Sequence, residues 1–218
     1  MEKVTKEQME TLRELIARHK TIRYGIFDEK IYQTVENHTN RMLAIAPIIA
    51  DMAGLNLNMN QMTSLILAHD LSEFGMDRDV TSMEQVEKPG AKQRKDDLEK
   101  QVIEGLVGQY GEWMQSLFDE YEMQKSETAR FVKWIDKYEA NRYMLEFGLC
   151  DEIYLKMFFV NTTKLIEATS KMPVLKEVTL HHLDQELKPL WEQDNKVDEF
   201  MKLQKTVQAI PDITQSCK

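Results

Sequence analysis

Apolar residues recur every three to four positions along most of the chain, the spacing of helices that bury one face. Met9, Leu12, Leu15 and Ile16 mark a first helix over 4–19, with Thr5 as N-cap and Gln8 completing a capping box. Residues 20–33 lose the period and read as a loop. The period returns over 34–53, where His38, Met42, Ile45 and Ile49 share a stripe, Pro47 introduces a bend and Gly54 closes the C-terminus. Asn60 is a candidate N-cap for a helix from 61 to 73, followed by a loop over 74–80. Residues 81–97 are polar, with a turn at Pro89-Gly90. Two helices, 98–110 and 112–123, follow around Gly111, the second with Trp113, Leu117 and Tyr121 as its core stripe. Ser126 caps a helix over 127–147 whose buried face carries Ala129, Val132, Ile135 and Asp136, then Tyr143. Three more helices, 151–170, 175–188 and 191–208, are separated by Pro173 and Pro189 and end in a polar tail. The pattern predicts an all-α protein.

Composition sharpens that picture. The chain has 218 residues, 42% hydrophobic and 30% charged, with only 8 Gly and 5 Pro, which fits a helical globular protein with a sizeable core. The net charge is -9. An acidic surface is poorly suited to a nucleic acid polymer, although a small phosphorylated ligand needs only local positive charge. Lys88, Lys92, Arg94 and Lys95 form one such basic cluster. Cys150 and Cys217 match no zinc or redox spacing, which favours a reducing, cytoplasmic compartment. The N-terminus has no apolar signal region, and no apolar run reaches membrane-spanning length.

The chemistry concentrates in Leu65-Ile66-Leu67-Ala68-His69-Asp70-Leu71-Ser72-Glu73. An apolar helix that runs into an adjacent imidazole and carboxylate calls for something that binds both. Neighbouring helical side chains point about 100° apart and can bracket one ion. Glu73, at i+4 from His69, is expected on nearly the same face. His38 and Asp136 are the other polar residues on apolar stripes, and a buried carboxylate is costly unless paired or metal-bound. His38, His69, Asp70 and Asp136 thus form a candidate ligand set for one divalent metal (Mn, Co, Zn, Mg or Fe). Its mixed nitrogen and oxygen donors suit a hydrolytic site with open positions better than a structural zinc. His181 and His182 have no third ligand nearby and read as surface residues.

This H…HD…D order resembles the HD-domain phosphohydrolases, and over residues 8–148 it is similar to their 5'-deoxynucleotidase branch. Arg23-Tyr24 precedes His38 as an Arg-Trp pair does in that branch. Val35-Glu36-Asn37-His38 looks like V-x-E/D-H with one residue inserted, and His69-Asp70-Leu71-Ser72-Glu73 fits H-D-x-x-E. Glu120-Tyr121-Glu122 through Ala129-Arg130-Phe131-Val132-Lys133-Trp134-Ile135-Asp136-Lys137 is similar to the branch's E-Y-E…A-K-F-V-K-x-x-D-K pattern. Two departures stand out. Arg78-Asp79-Val80 lies one residue later than the usual Gly-Asp-Ile, so Asp77 or Asp79 can occupy that place. Tyr24 replaces the Trp associated with deoxyribose preference.

The resemblance implies an HD-domain helical bundle over 1–148. Residues 149–218 have no counterpart in it and read as a C-terminal helical extension, packed on it or on a dimer partner, since its amphipathic helices need an apolar partner. It implies Glu73 and Asp79 as catalytic residues, and Arg23, Tyr24 and Asp77 in substrate contact. Lys88 and Lys92 are added from the basic cluster. The expected reaction is removal of phosphate from a deoxynucleoside 5'-phosphate in the cytoplasm, a host's if the protein is a phage one. The alternatives are release of triphosphate from a dNTP, as in phage enzymes that deplete dATP, and a non-catalytic helical module. A ppGpp hydrolase fits less well, because Phe74 follows Glu73 where that group carries Glu-Asp.

Overall fold

The computed structural model describes residues 5–6, 9–10, 22–24, 33–75, 80, 82–146, 152–193 and 197–211. The helix expected over 4–19 lies largely outside them, as do Cys150 and Cys217. The described residues are helical apart from one short ribbon. Where a loop was expected over 20–33, β1 (Ile22–Tyr24) pairs antiparallel with β2 (Gln33–Thr34), with a register irregularity between Ile22 and Tyr24. Two strands this short carry no hydrophobic period, so the sequence does not announce them.

The chain divides into two compact units, Met1–Ala44 with Met59–Gln124, and Ile45–Asn58 with Lys125–Lys218. Helix α1 (Val35–Met52) contributes to both. Thr34 caps it, its Oγ1 accepting the Asn37 N–H at 3.1 Å. The helix runs through Pro47 and ends where Gly54, at φ 66°, donates its N–H to the Asp51 carbonyl. His38 and Met42 are buried as expected, but Ala46 rather than Ile45 continues the buried stripe.

In the first unit follow α2 (Met59–Ala68), a 3-10 turn (Leu71–Gly75), α3 (Ser82–Glu87), α4 (Ala91–Tyr110) and α5 (Glu112–Met123). Met59 already belongs to α2, so Asn60 lies inside the first turn rather than capping it. Met62, Leu65, Ile66, Ile103, Leu106 and Tyr121 form this unit's core with Met42. Helix α4 packs on both α5 and the 3-10 turn. Trp113, expected in the core, is 57% exposed, and Leu98 on α4 is also exposed. Of the stripe expected on α5, Tyr121 is buried and Trp113 is not, and the buried face of α4 carries charge beside Ala91 and Ile103.

In the second unit, Ser126 caps α6 (Glu127–Glu146) through a 3.0 Å bond from the Ala129 N–H to its Oγ. Helix α6 packs along α7 (Glu152–Lys171). Beyond a 3-10 turn at Pro173–Leu175 come α8 (Lys176–His181), a π-helical turn (His182–Leu187), α9 (Lys188–Gln193) and α10 (Val197–Gln208). Pro189 does not break the chain as expected. It falls in the first turn of α9, directly after the wider π-helical turn, where a missing N–H is tolerated. His182 is buried rather than on the surface, with its ring 5.0 Å from that of Tyr138.

Candidate metal centre

The His69-Asp70 pair does not sit within a continuous helix over 61–73. Helix α2 ends at Ala68, and the pair occupies the turn that follows. The cause is local. His69 still donates its backbone N–H to Leu65, but its ring Nδ1 lies 2.6 Å from the Ile66 carbonyl oxygen. A continuing helix would give that carbonyl to the Asp70 N–H, so the imidazole takes the place of the next helical bond. The chain then tightens, with the Glu73 N–H bonded to the Asp70 carbonyl at 3.0 Å. Glu73 therefore reaches its place through a 3-10 turn and not by the i+4 helical spacing read from the sequence.

That same bond fixes the chemistry of His69. With a carbonyl as partner Nδ1 is the donor, and in the neutral tautomer that leaves Nε2 with the lone pair. Nε2 lies 3.1 Å from Asp70 Oδ2 and makes no hydrogen bond. An imidazole lone pair facing a carboxylate oxygen calls for a cation beside both. His38 Nε2 is 3.9 Å from the same oxygen, and the two imidazole rings are 5.3 Å apart between centroids. Tyr121 meets the His69 ring edge-on at 5.5 Å and packs it in place.

Asp136 is buried on α6, and its Oδ2 accepts a 2.7 Å bond from Lys137. In the first unit His38 and His69 each bring Nε2 to the Asp70 carboxylate, a group of donors that could hold a metal ion. Two imidazoles and a carboxylate are suitable donors for a divalent ion, and a backbone carbonyl holding the far nitrogen of a ligating histidine is the usual supporting contact. The residues present fit such an ion.

Glu73 is buried, and its Oε1 accepts a 2.6 Å bond from Lys95 on α4. Lys95 lies 3.5 Å from Glu99 as well, one helical turn further on. Burial pushes the Glu99 carboxyl up to about 7, with Lys95 opposing the rise and Glu122 and Asp70 adding to it. Sequence reasoning had placed Lys95 in a solvated basic cluster. Its actual signal was the four-residue spacing Ala91, Lys95, Glu99, Ile103, which puts two charges on the stripe where Ala91 and Ile103 are buried.

The other expected contacts divide. Lys92 is exposed at the start of α4. Lys88 is exposed and pairs with Glu84 at 2.8 Å. Arg23 and Tyr24 lie on β1, but their side chains are outside the described residues, as are Asp77 and Asp79.

Comparisons with known proteins show the family and the fold. The HD domain family model matches residues 16–172. The chain belongs to the HD-domain family. It is 30% identical over 107 residues to the mouse 5'-deoxynucleotidase HDDC2, a match covering 49% of this chain and 52% of that protein. The human 5'-deoxynucleotidase HDDC2 is likewise 30% identical, over 49% of this chain and 50% of that protein. The chain thus matches about half the length of these relatives. A solved HD-domain phosphohydrolase from Listeria innocua shares the fold, with a TM-score of 0.61 at 14% identity over 92% of this chain and 97% of that one. No helix among the described residues is long and apolar enough to cross a membrane.

Proposed function

We propose that the protein is a metal-dependent phosphohydrolase that converts a deoxynucleoside 5'-monophosphate to the deoxynucleoside and phosphate. The observation that carries this reading is the buried pair His38 and His69, each with Nε2 beside the Asp70 carboxylate. The 5'-deoxynucleotidase relatives support the substrate class. His38, His69, Asp70 and Asp136 would hold one divalent ion. That ion supplies Lewis-acid charge at the phosphoryl oxygens and at the attacking water.

The chain's own residues do the rest. The Ile66 carbonyl keeps the His69 proton on Nδ1, so Nε2 stays available as a donor atom. Glu73, one 3-10 turn beyond Asp70, carries the carboxylate suited to proton transfer, orienting the water or protonating the leaving oxygen. Arg23 is assigned to the phosphate, Tyr24 to the sugar, and Asp77 or Asp79 to the sugar or the water. Exposed Lys88 and Lys92, beside Arg94, favour a second reading, release of triphosphate from a dNTP, since a longer phosphate chain needs more positive charge.

The test is product analysis over dNMPs, NMPs and dNTPs, with EDTA and then with Mn²⁺, Co²⁺, Zn²⁺ or Mg²⁺ restored. Free phosphate from dNMPs supports the first reading and triphosphate from a dNTP the second. No product with any metal removes both.

A further inference from the structure

Lys95 is the residue the site's chemistry has not yet used. It lies on the first turns of α4, the helix that packs against the Leu71–Gly75 turn. Its ammonium is drawn in between two carboxylates, at 2.6 Å from Glu73 Oε1 and 3.5 Å from Glu99 Oε1, with only 15% of its side chain exposed. By contrast Lys92, one turn earlier on the same helix, is exposed. Burying a lysine stem and its charge is unfavourable unless the partners are fixed. Here the fixing is built into the backbone. Pro89 and Gly90, the latter at φ 75°, set the start of α4, and the four-residue spacing then carries Lys95 and Glu99 onto the face of buried Ala91 and Ile103.

We propose that Lys95 is a positioning residue for the reaction: its ammonium holds the Glu73 carboxylate in the orientation from which Glu73 acts, and Glu99 anchors the ammonium from the other side. This rests on the assignment of Glu73 under the proposed function. A charge-assisted bond to one oxygen sets the direction of the whole carboxylate. Proton-transfer groups lose much of their effect when misplaced by about 1 Å, so losing the grip acts on turnover rather than on substrate affinity.

The experiment is steady-state phosphate release from the best dNMP with saturating Mn²⁺, for the wild type, Lys95→Met, Lys95→Gln and Lys95→Arg. Mn²⁺ affinity and thermal midpoint are measured on the same samples. Lys95→Met is expected to lower kcat about 30–100-fold, up to what a misplacement of about 1 Å costs, while KM and Mn²⁺ affinity change less than about 3-fold. Lys95→Arg, which restores the cation, is expected to recover most of kcat. If Lys95→Met does not fold, Lys95→Gln decides by the same criteria. Unchanged kcat in a folded variant overturns the proposal. A raised KM at unchanged kcat also overturns it, because Lys95 is then a substrate ligand. A loss of kcat that tracks the thermal midpoint, with no recovery in Lys95→Arg, leaves only a structural role and overturns it too. A wild type inactive on every nucleotide removes the phosphohydrolase reading and this proposal together, which separates that failure from the others.

Discussion

The two units bury polar groups to opposite ends. In the second, donors and acceptors close on one another. The indole N–H of Trp134 reaches Thr169 Oγ1 at 3.0 Å and Thr179 Oγ1 at 3.2 Å, and both hydroxyls donate to carbonyls one turn earlier, those of Leu165 and Leu175. Arg142, Glu186 and His182 follow in a chain of alternating partners. Burial pushes the His182 imidazole down, with the Glu186 hydrogen bond opposing it. Burial would raise Glu186, but His182 and Arg142 hold its carboxyl below the usual range. In the first unit the groups confront rather than complete one another: an imidazole lone pair meets the Asp70 oxygen, and Glu73 and Glu99 share the ammonium of Lys95. A polar cluster that balances itself stabilises a fold. One whose charged groups crowd onto shared partners is the arrangement of a working site.

Breaking the incomplete side has the largest expected effect. The double substitution His69→Ala with Asp70→Ala removes the imidazole and the carboxylate together, and kcat/KM for phosphate release should fall by at least about 10³-fold, as for the loss of the groups that build a hydrolytic centre. Retention of full activity would show that the reaction does not use this site. Chelation with EDTA should give the same loss in the wild type, reversed by adding the ion back.

Glu99 sharpens the contrast through pH. Its carboxyl titrates at about 7 in the folded protein and near 4.5 in the unfolded chain, so folding takes up a proton between those values. The stability this group contributes is complete below pH 4.5 and is lost as pH rises through 7, at most about 3 kcal/mol in all. Glu99→Gln should therefore gain about 1–3 kcal/mol on the wild type between pH 5 and pH 8, read by urea denaturation at both values. A difference independent of pH would mean that Glu99 is ionised in the folded state throughout.

On the balanced side, Thr169→Val leaves the Trp134 indole with one hydroxyl fewer in a buried position. It should cost about 1–2 kcal/mol of stability with kcat unchanged, measured by denaturation and turnover on one preparation. A change in kcat larger than the change in folded fraction would mean that the two clusters are not separate in function. The smallest effect is expected at Trp113, an exposed residue of α5. Trp113→Lys should alter stability by less than about 0.5 kcal/mol. A larger loss in thermal unfolding would put the indole in an interface.

Much of the helix plan was legible in the chain, as was the burial of His38 and Asp136, because each rests on a local rule. Period alone placed α1, α6 and α7 within a residue or two, and Thr34, Ser126 and Gly54 act through short-range bonds, although only the last two were read in advance. His38 and Asp136 stood out as polar residues on apolar stripes, and burial bears both out. Where the reading failed, a contact distant in sequence had overruled the pattern. Trp113 has an apolar side chain at helical spacing from Tyr121, yet it is exposed while Tyr121 is buried, and the packed stripe of α4 runs through Ala91, Lys95, Glu99 and Ile103.

The sequence by itself determined the helical class, the helix caps, the HD-domain motifs and the four candidate ligands, since periodicity, capping and motif spacing are properties of short stretches of chain. Only the tertiary structure decided that α2 stops at Ala68, that His182 is buried, and that Lys95 turns inward to Glu73. In each case a side chain has a choice of partners, solvent or a local carbonyl or a residue far along the chain, and packing sets which of them lies within reach.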